Sequence, residues 1–158
     1  MTIRLGDLLV RNGALTEAQR DSVLDYQRLT GRPFGELAER LFGVGQRAVE
    51  DAWAEQYSMI ARRVDPRSES IDPEALALIE RRQAWQFRVL PLHYEAAELV
   101  LCTTQDNLVR ALKFAGWRIQ AQAYFVLSDP LALGEALTRH YPMAGMTPDV
   151  INRRLGIA

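Results

Sequence analysis

Cysteine is almost absent from this chain: Cys102 stands alone among 158 residues. A single cysteine excludes an internal disulfide and a four-cysteine zinc site, and it suits a reducing, cytoplasmic setting. Within the run Leu99-Val100-Leu101-Cys102 it reads as a small buried hydrophobe rather than a reactive thiol. Histidine is scarce too. His93 and His140 lie far apart, with no HExxH spacing and no cysteine partners, so no zinc-ligand pattern emerges. Of nineteen basic residues only Lys113 is lysine, and Phe114 follows it with no phosphate-loop glycines before it, which removes a P-loop. No GxSxG elbow appears. Asp65, Asp72 and Asp129 precede or neighbour prolines, where turn and cap roles suffice. The expectation is a protein without catalysis of its own.

Long apolar runs are missing as well. None approaches the roughly 20 residues that cross a bilayer, so direct membrane insertion is not expected. Asp7 and Arg11 interrupt the first apolar stretch, which argues against a signal peptide. Net charge is −1, so no global basic field points to DNA or to an anionic membrane surface. What is present is ordinary for a globule: 48% hydrophobic and 25% charged residues, enough for one domain or two small lobes.

The organising feature is a tandem line. RLGDLLVRNGALTEAQRDSVLDYQ (Arg4–Gln27) and PFGELAERLFGVGQRAVEDAWAEQ (Pro33–Gln56) run parallel at an offset of 29 residues. Gly6 falls on Gly35, Leu8 on Leu37, Arg11 on Arg40 and Gln27 on Gln56, while Asp7/Glu36, Leu5/Phe34, Leu15/Val44 and Leu24/Trp53 keep their character. Each line begins with an apolar residue and a glycine, turns at glycines and closes an amphipathic helix with glutamine.

Taken in order, Leu5, Leu8 and Leu9 share one face of a short helix that stops at Asn12-Gly13. Thr16-Glu17-Ala18-Gln19 is a capping box that opens a second helix. Pro33 stands at the first turn of a third, and a fourth covers about residues 46–57. Residues 1–60 therefore read as two helical hairpins, with Arg62–Ser70 as a polar link. Beyond it, a helix is expected from Asp72 to about Arg82. Strands follow at Phe87–Tyr94 and Glu98–Thr103 about a hairpin at Glu95-Ala96-Ala97. A helix ending at Gly116, a strand over Arg118–Leu127 and a helix to His140 complete the lobe. The fold class expected is α+β: a four-helix tandem lobe (1–60), a small α-β-β-α-β-α lobe (61–142) and a weakly specified tail (143–158).

The pattern RLGxxLxxxG with glutamine fourteen residues further on, a short spacer and a second copy resembles the MshEN family. Arg4-Leu5-Gly6, Leu9, Gly13, Leu24 and Gln27 carry the first copy; Gly35, Val49 and Gln56, with bulk at Phe34 and Trp53, carry the second. FRVLPLHYEAAELVLCTTQDN resembles the α/β half of that family, so the likeness spans about residues 3–142. The family forms the N-terminal domain of type II secretion and type IV pilus ATPases and is appended to some bacterial membrane glycosyltransferases. The chain opens almost on the motif, as an excised domain of such a protein would.

The resemblance implies a cytoplasmic regulatory module that binds cyclic di-GMP, a pseudo-symmetric dianion suited to a duplicated half-site. The implied ligand residues are Arg4, Leu5, Gly6, Arg20, Leu24, Gln27, Arg32, Phe34, Gly35, Val49, Trp53 and Gln56. Arginine offers a planar donor fork for phosphate or for guanine O6/N7, and glycine lets a backbone approach closely. The glutamines offer amide groups, and the apolar residues give stacking surface. Pro33 stands where the family has arginine, with Arg32 one step early, and Arg20 replaces an apolar residue. No cofactor or metal is implied, and the partner is a host ATPase or glycosyltransferase module. A bland reading stays open at every position: leucines at helical spacing build cores, glycines permit tight helix packing, and arginines are solvated charges. The second class of function is a nucleotide-free docking module of the same fold that presents a helical face to a partner, with which Trp53, Trp85, Trp117 and the degenerate second motif are compatible.

Overall fold

The computed structural model describes residues 4–145, so most of the expected tail, residues 146–158, lies outside the described residues. The chain divides into two compact units between Ile60 and Ala61.

The first unit is helical: α1 (Leu5–Arg11), α2 (Glu17–Thr30), α3 (Phe34–Phe42) and α4 (Gln46–Ile60). Both α1 and α2 have a counterpart that starts 29 residues later, so the repeat is structural as well as sequential. The Thr16 hydroxyl accepts from the Gln19 N–H at 3.1 Å, and the Gln19 amide oxygen accepts from the Thr16 N–H at 2.9 Å. That reciprocal box satisfies two orphan donors of α2. Gly31 and Gly43 end α2 and α3 in the left-handed conformation. Pro33 sits one position earlier than expected, as the N-cap of α3 with ψ 143°.

The core of this unit consists of Leu8, Leu9, Leu15, Val23, Leu37, Ala38, Val44 and Ala52. These form four pairs, Leu8/Leu37, Leu9/Ala38, Leu15/Val44 and Val23/Ala52, each related by the repeat offset. In three pairs the first copy supplies the larger side chain, so the two copies fill one core by complementing each other's volume. Each fully buried Leu or Val contributes about 1.5–3 kcal/mol. At the far end of α1, Glu55 of α4 takes an ion pair from Arg11 and a hydrogen bond from Asn12.

The second unit carries α5 (Pro73–Leu76), α6 (Arg81–Phe87), β1 (Leu90–Glu95), β2 (Glu98–Thr103), α7 (Leu108–Arg118), β3 (Ala123–Leu127) and α8 (Pro130–His140). The sheet order is β1-β2-β3, with β1 antiparallel and β3 parallel to β2. The chain is thus α+β. Central strand β2 is fully buried from Leu99 to Thr103, and burial pushes the Cys102 thiol up to about 12, which keeps it protonated and inert.

Three boundaries differ from the sequence reading. The single helix expected over 72–82 is two, α5 and α6, because Glu80 and Gln83 form a second capping box that restarts the helix. Phe87 therefore ends a helix instead of starting a strand, and Arg88 turns the chain with φ 52°. Helix α7 runs through Gly116 to Arg118, so the last strand starts at Ala123. The link at Arg62–Ser70 is also partly structured. Val64 N–H donates to Leu127 at 2.9 Å, and Leu127 N–H donates to Arg62 at 3.0 Å. Arg67 bridges Asp65 and Glu135 at 2.8–2.9 Å. This segment covers the β3 edge and blunts it against stray pairing.

Candidate functional site

Helix α1 starts at Leu5 with Arg4 as its N-cap, and α2 runs beside it from the Thr16 box. Their facing sides and the first residue of α3 enclose a cleft of about 140 Å³, lined by Arg4, Leu5, Gly6, Asp7, Arg20, Leu24, Gln27 and Phe34. The volume is about half the roughly 300 Å³ at which ordinary ligand pockets begin, which suits one base of a larger ligand better than a whole dinucleotide.

Seven sequence-derived residues converge here: Arg4, Leu5, Gly6, Arg20, Leu24, Gln27 and Phe34. Arg32, Gly35, Val49, Trp53 and Gln56 do not line this cleft. Arg32 is exposed and donates to Glu36 at 2.8 Å. Trp53 is half-buried against Tyr57, ring centres 5.4 Å apart. Val49 packs on Gly35, as described next, and Gln56 is half-buried on the last turns of α4.

The glycines explain how the copies meet. A Cβ on Gly6 would lie 2.7 Å from the Phe34 ring and 3.1 Å from Arg20 Cγ. A Cβ on Gly35 would lie 2.6 Å from Val49 Cγ1 and 3.9 Å from Leu5 Cδ2. Shifted by the repeat offset, Phe34 is Leu5 and Arg20 is Val49. Each glycine therefore receives the opening residue of the other copy and the α2- or α4-side residue of its own, an approximate two-fold arrangement. Close helix packing is thus one role of both glycines, and Gly6 lines the cleft as well.

Electrostatics separates the three arginines. Arg4 is exposed at the cleft; its carbonyl accepts from the Asp7 and Leu8 N–H groups at 3.1 Å, while its guanidinium makes no hydrogen bond or ion pair with another described residue, so its fork is open to an incoming anion. Arg20 is engaged: it donates to Asp7 at 3.1 Å and twice to Asp21 at 3.2 Å. The Asp21 bond first, then the surrounding carboxylates, hold its pKa above the usual arginine value. Arg32 is paired to Glu36. Sequence reasoning missed Asp7, which lines the cleft. The pairing of acids at Asp7 and Glu36 across the repeat was the signal that could have found it.

Among the described residues no group of three or more His, Cys, Asp or Glu could hold a metal ion. Nor is any of their helices long and apolar enough to cross a membrane.

The MshEN domain family matches residues 55–147, which takes in the second unit as far as residue 147 and leaves almost all of the tandem line outside the match. Among solved structures, MshE with cdg is 25% identical, covering 88% of this chain and 99% of its own, at a TM-score of 0.48. The N-terminal domain of XpsE is 17% identical, covering 87% of this chain and 94% of its own, at a TM-score of 0.47. No curated protein matches the sequence.

Proposed function

The chain belongs to the MshEN domain family, and from that premise we propose that its N-terminal helices bind cyclic di-GMP and report it to a larger bacterial protein. One observation carries the reading. Five of the seven first-copy motif residues, Arg4, Leu5, Gly6, Leu24 and Gln27, come from α1 with its N-cap and from α2 and meet in one cleft, with Phe34 of the second copy beside them, whereas Leu9 lies in the core. A phosphate would take the open Arg4 fork, a base would lie between Leu5, Leu24 and Phe34, and Gln27 would supply amide contacts to base or sugar. The second copy would hold the other half of the ligand less firmly, because Pro33 offers no guanidinium and Arg32 is paired with Glu36. The host would be a secretion or pilus ATPase or a membrane glycosyltransferase, and the module would act in the cytoplasm without chemistry of its own.

Calorimetric titration of the whole chain tests this, with cyclic di-AMP, GTP and ATP as controls. Cyclic di-GMP is expected to bind at micromolar affinity or better. Arg4→Ala removes a charge-assisted bond of about 1.5–3 kcal/mol, so affinity should fall about ten- to a hundredfold. An unchanged dissociation constant, with the helical circular dichroism signal intact, would remove Arg4 from the site. A docking role without nucleotide is favoured by Trp117, which is 64% exposed on α7 and edge-on to Phe87 and Phe114. Absence of binding heat with all four nucleotides would leave that reading standing alone.

A further inference from the structure

Resting on the cyclic di-GMP reading, we infer that Asp7 is the residue that selects guanine over adenine, with Arg20 as its positioning partner. A carboxylate is an unexpected wall for a site that receives a dianion, since like charges in one cleft repel. Two features of Asp7 remove the contradiction. Its Oδ1 accepts from Arg20 NH1 at 3.1 Å, so its charge is partly offset and its plane is held. Its Oδ2 accepts no hydrogen bond from another described residue and remains available at the cleft. Arg20 in turn gives its Nε and NH2 to Asp21 Oδ1, both at 3.2 Å. The guanidinium is thereby fixed between two carboxylates and is a poor candidate for the phosphate, which falls to Arg4.

The donor–acceptor pattern of the bases decides what such a carboxylate can read. Guanine turns two parallel donors, N1–H and N2–H, along its pairing edge, and these match the two oxygens of a carboxylate. Adenine presents the N1 lone pair at the same place, so it would face a carboxylate oxygen acceptor to acceptor. A site that loses its hydrogen bonds and gains a repulsion rejects the wrong ligand far better than one that merely fits poorly. The cleft volume of about 140 Å³ also suits reading one base at a time. The acid recurs at Glu36, the counterpart of Asp7, but the arginine does not: Val49 stands in place of Arg20, and Glu36 pairs instead with Arg32 at 2.8 Å. The family-like pattern RLGxxL leaves that position unspecified, so the acids belong to this chain's own reading of its ligand.

Titration of the full chain with cyclic di-GMP and cyclic di-AMP tests this on four proteins: wild type, Asp7→Asn, Arg20→Ala and Arg20→Lys. Asp7 is exposed, so its replacement leaves the core untouched, and a matching thermal melt checks that. Wild type should prefer cyclic di-GMP. Asp7→Asn replaces one acceptor by a donor, so cyclic di-GMP affinity should fall by about tenfold or more while the preference over cyclic di-AMP narrows by a similar factor. Arg20→Ala should narrow the same preference, and Arg20→Lys should restore it by keeping a cation against Asp7. If Asp7→Asn keeps both the affinity and the preference of wild type, the selector role is overturned while cyclic di-GMP binding stands. If wild type gives no heat with either dinucleotide, the binding reading falls, and the selector role with it.

Discussion

At the scale of single residues, backbone conformation is placed with two different degrees of ease. Gly31 and Gly43 take the left-handed region where helices end, and glycine does so without penalty. The β1–β2 hairpin instead uses Ala96 at φ 50° and Ala97 at φ 68°. A two-residue loop of this kind needs positive φ at both central positions, and Asn-Gly is the usual solution. Alanine there costs about 1–2 kcal/mol in steric strain, against which glycine's extra unfolded-state freedom recovers about 0.5–1 kcal/mol. Ala97→Gly should therefore stabilise the protein by up to about 1 kcal/mol, a rise in melting temperature of roughly 2–4 °C. A melt that falls would show that the alanine Cβ packs usefully in the turn. The site has its own residue-scale lesson. Arg4, Leu5, Gly6, Leu24 and Gln27 were legible only through the resemblance to the family motif, and the structure places all five at one cleft. Asp7 was passed over because the motif treats its position as a spacer; the Asp7/Glu36 pairing marked it as an acid, and the fold reveals its contact with Arg20.

At the scale of elements, local signals succeeded where one signal acted alone. The Thr16–Gln19 box fixed the start of α2, and the continuous β-rich run Glu98–Thr103 marked β2. The sequence failed where two signals overlapped. Leu76 and Ile79 continue a helical spacing across residues 77–80, but the Glu80–Gln83 box opens a fresh helix there, and the cap prevails over the periodicity. Gly116 looked like a stop, yet it lies within α7, and its Cβ position meets nothing within 4 Å. A helix interior tolerates glycine at about 1 kcal/mol when the following turn packs. The hairpin carries a titratable network of its own. His93 has both ring nitrogens against acceptors, the Ser70 carbonyl at 2.7 Å and Glu95 at 3.0 Å, which suits the doubly protonated ring. The Glu95 bond chiefly raises the His93 pKa above 6.5. Tyr124, His93 and Arg62 together pull Glu95 down to about 2. A raised histidine contributes stability that is complete below its unfolded value and is lost as pH climbs through its folded one. A lowered carboxylate contributes above its unfolded value near 4.5 and loses that contribution as pH falls toward 2. Stability should thus be greatest between about pH 5 and 6 and decline above 6.5. Urea titrations at pH 5.5 and 8 check this: His93→Gln should flatten the alkaline decline, and an equal slope in mutant and wild type would remove His93 as its source.

At the scale of the whole molecule, the chain has two units, each with its own core, and only the first carries the tandem line. A helical piece of about 60 residues buries only about 60% of its unfolded surface, so it is marginal alone. Its repeat-paired core offsets part of that weakness, because in three of its four pairs the first copy supplies the larger side chain and the second the smaller. Bound nucleotide would then add stability where stability is lowest. A ligand at a hundred times its dissociation constant contributes about 2.7 kcal/mol to the state that binds it, a large share of what a small unit has. Local opening free energies differ across a structure, so the gain should appear first in the unit that holds the ligand. Hydrogen exchange on the full chain with cyclic di-GMP should slow across α1–α4, with the largest change around Arg4–Gln27 because the cleft lies there, and weaker slowing near Arg62–Ser70. Arg4→Ala, with its ten- to hundredfold weaker binding, should reduce the change at the same nucleotide concentration to about half of its free-energy value or less. Slowing confined to α5–α8 would put the ligand in the other unit, where the described structure offers no convergence of motif residues, and would overturn the assignment of the site to the repeat.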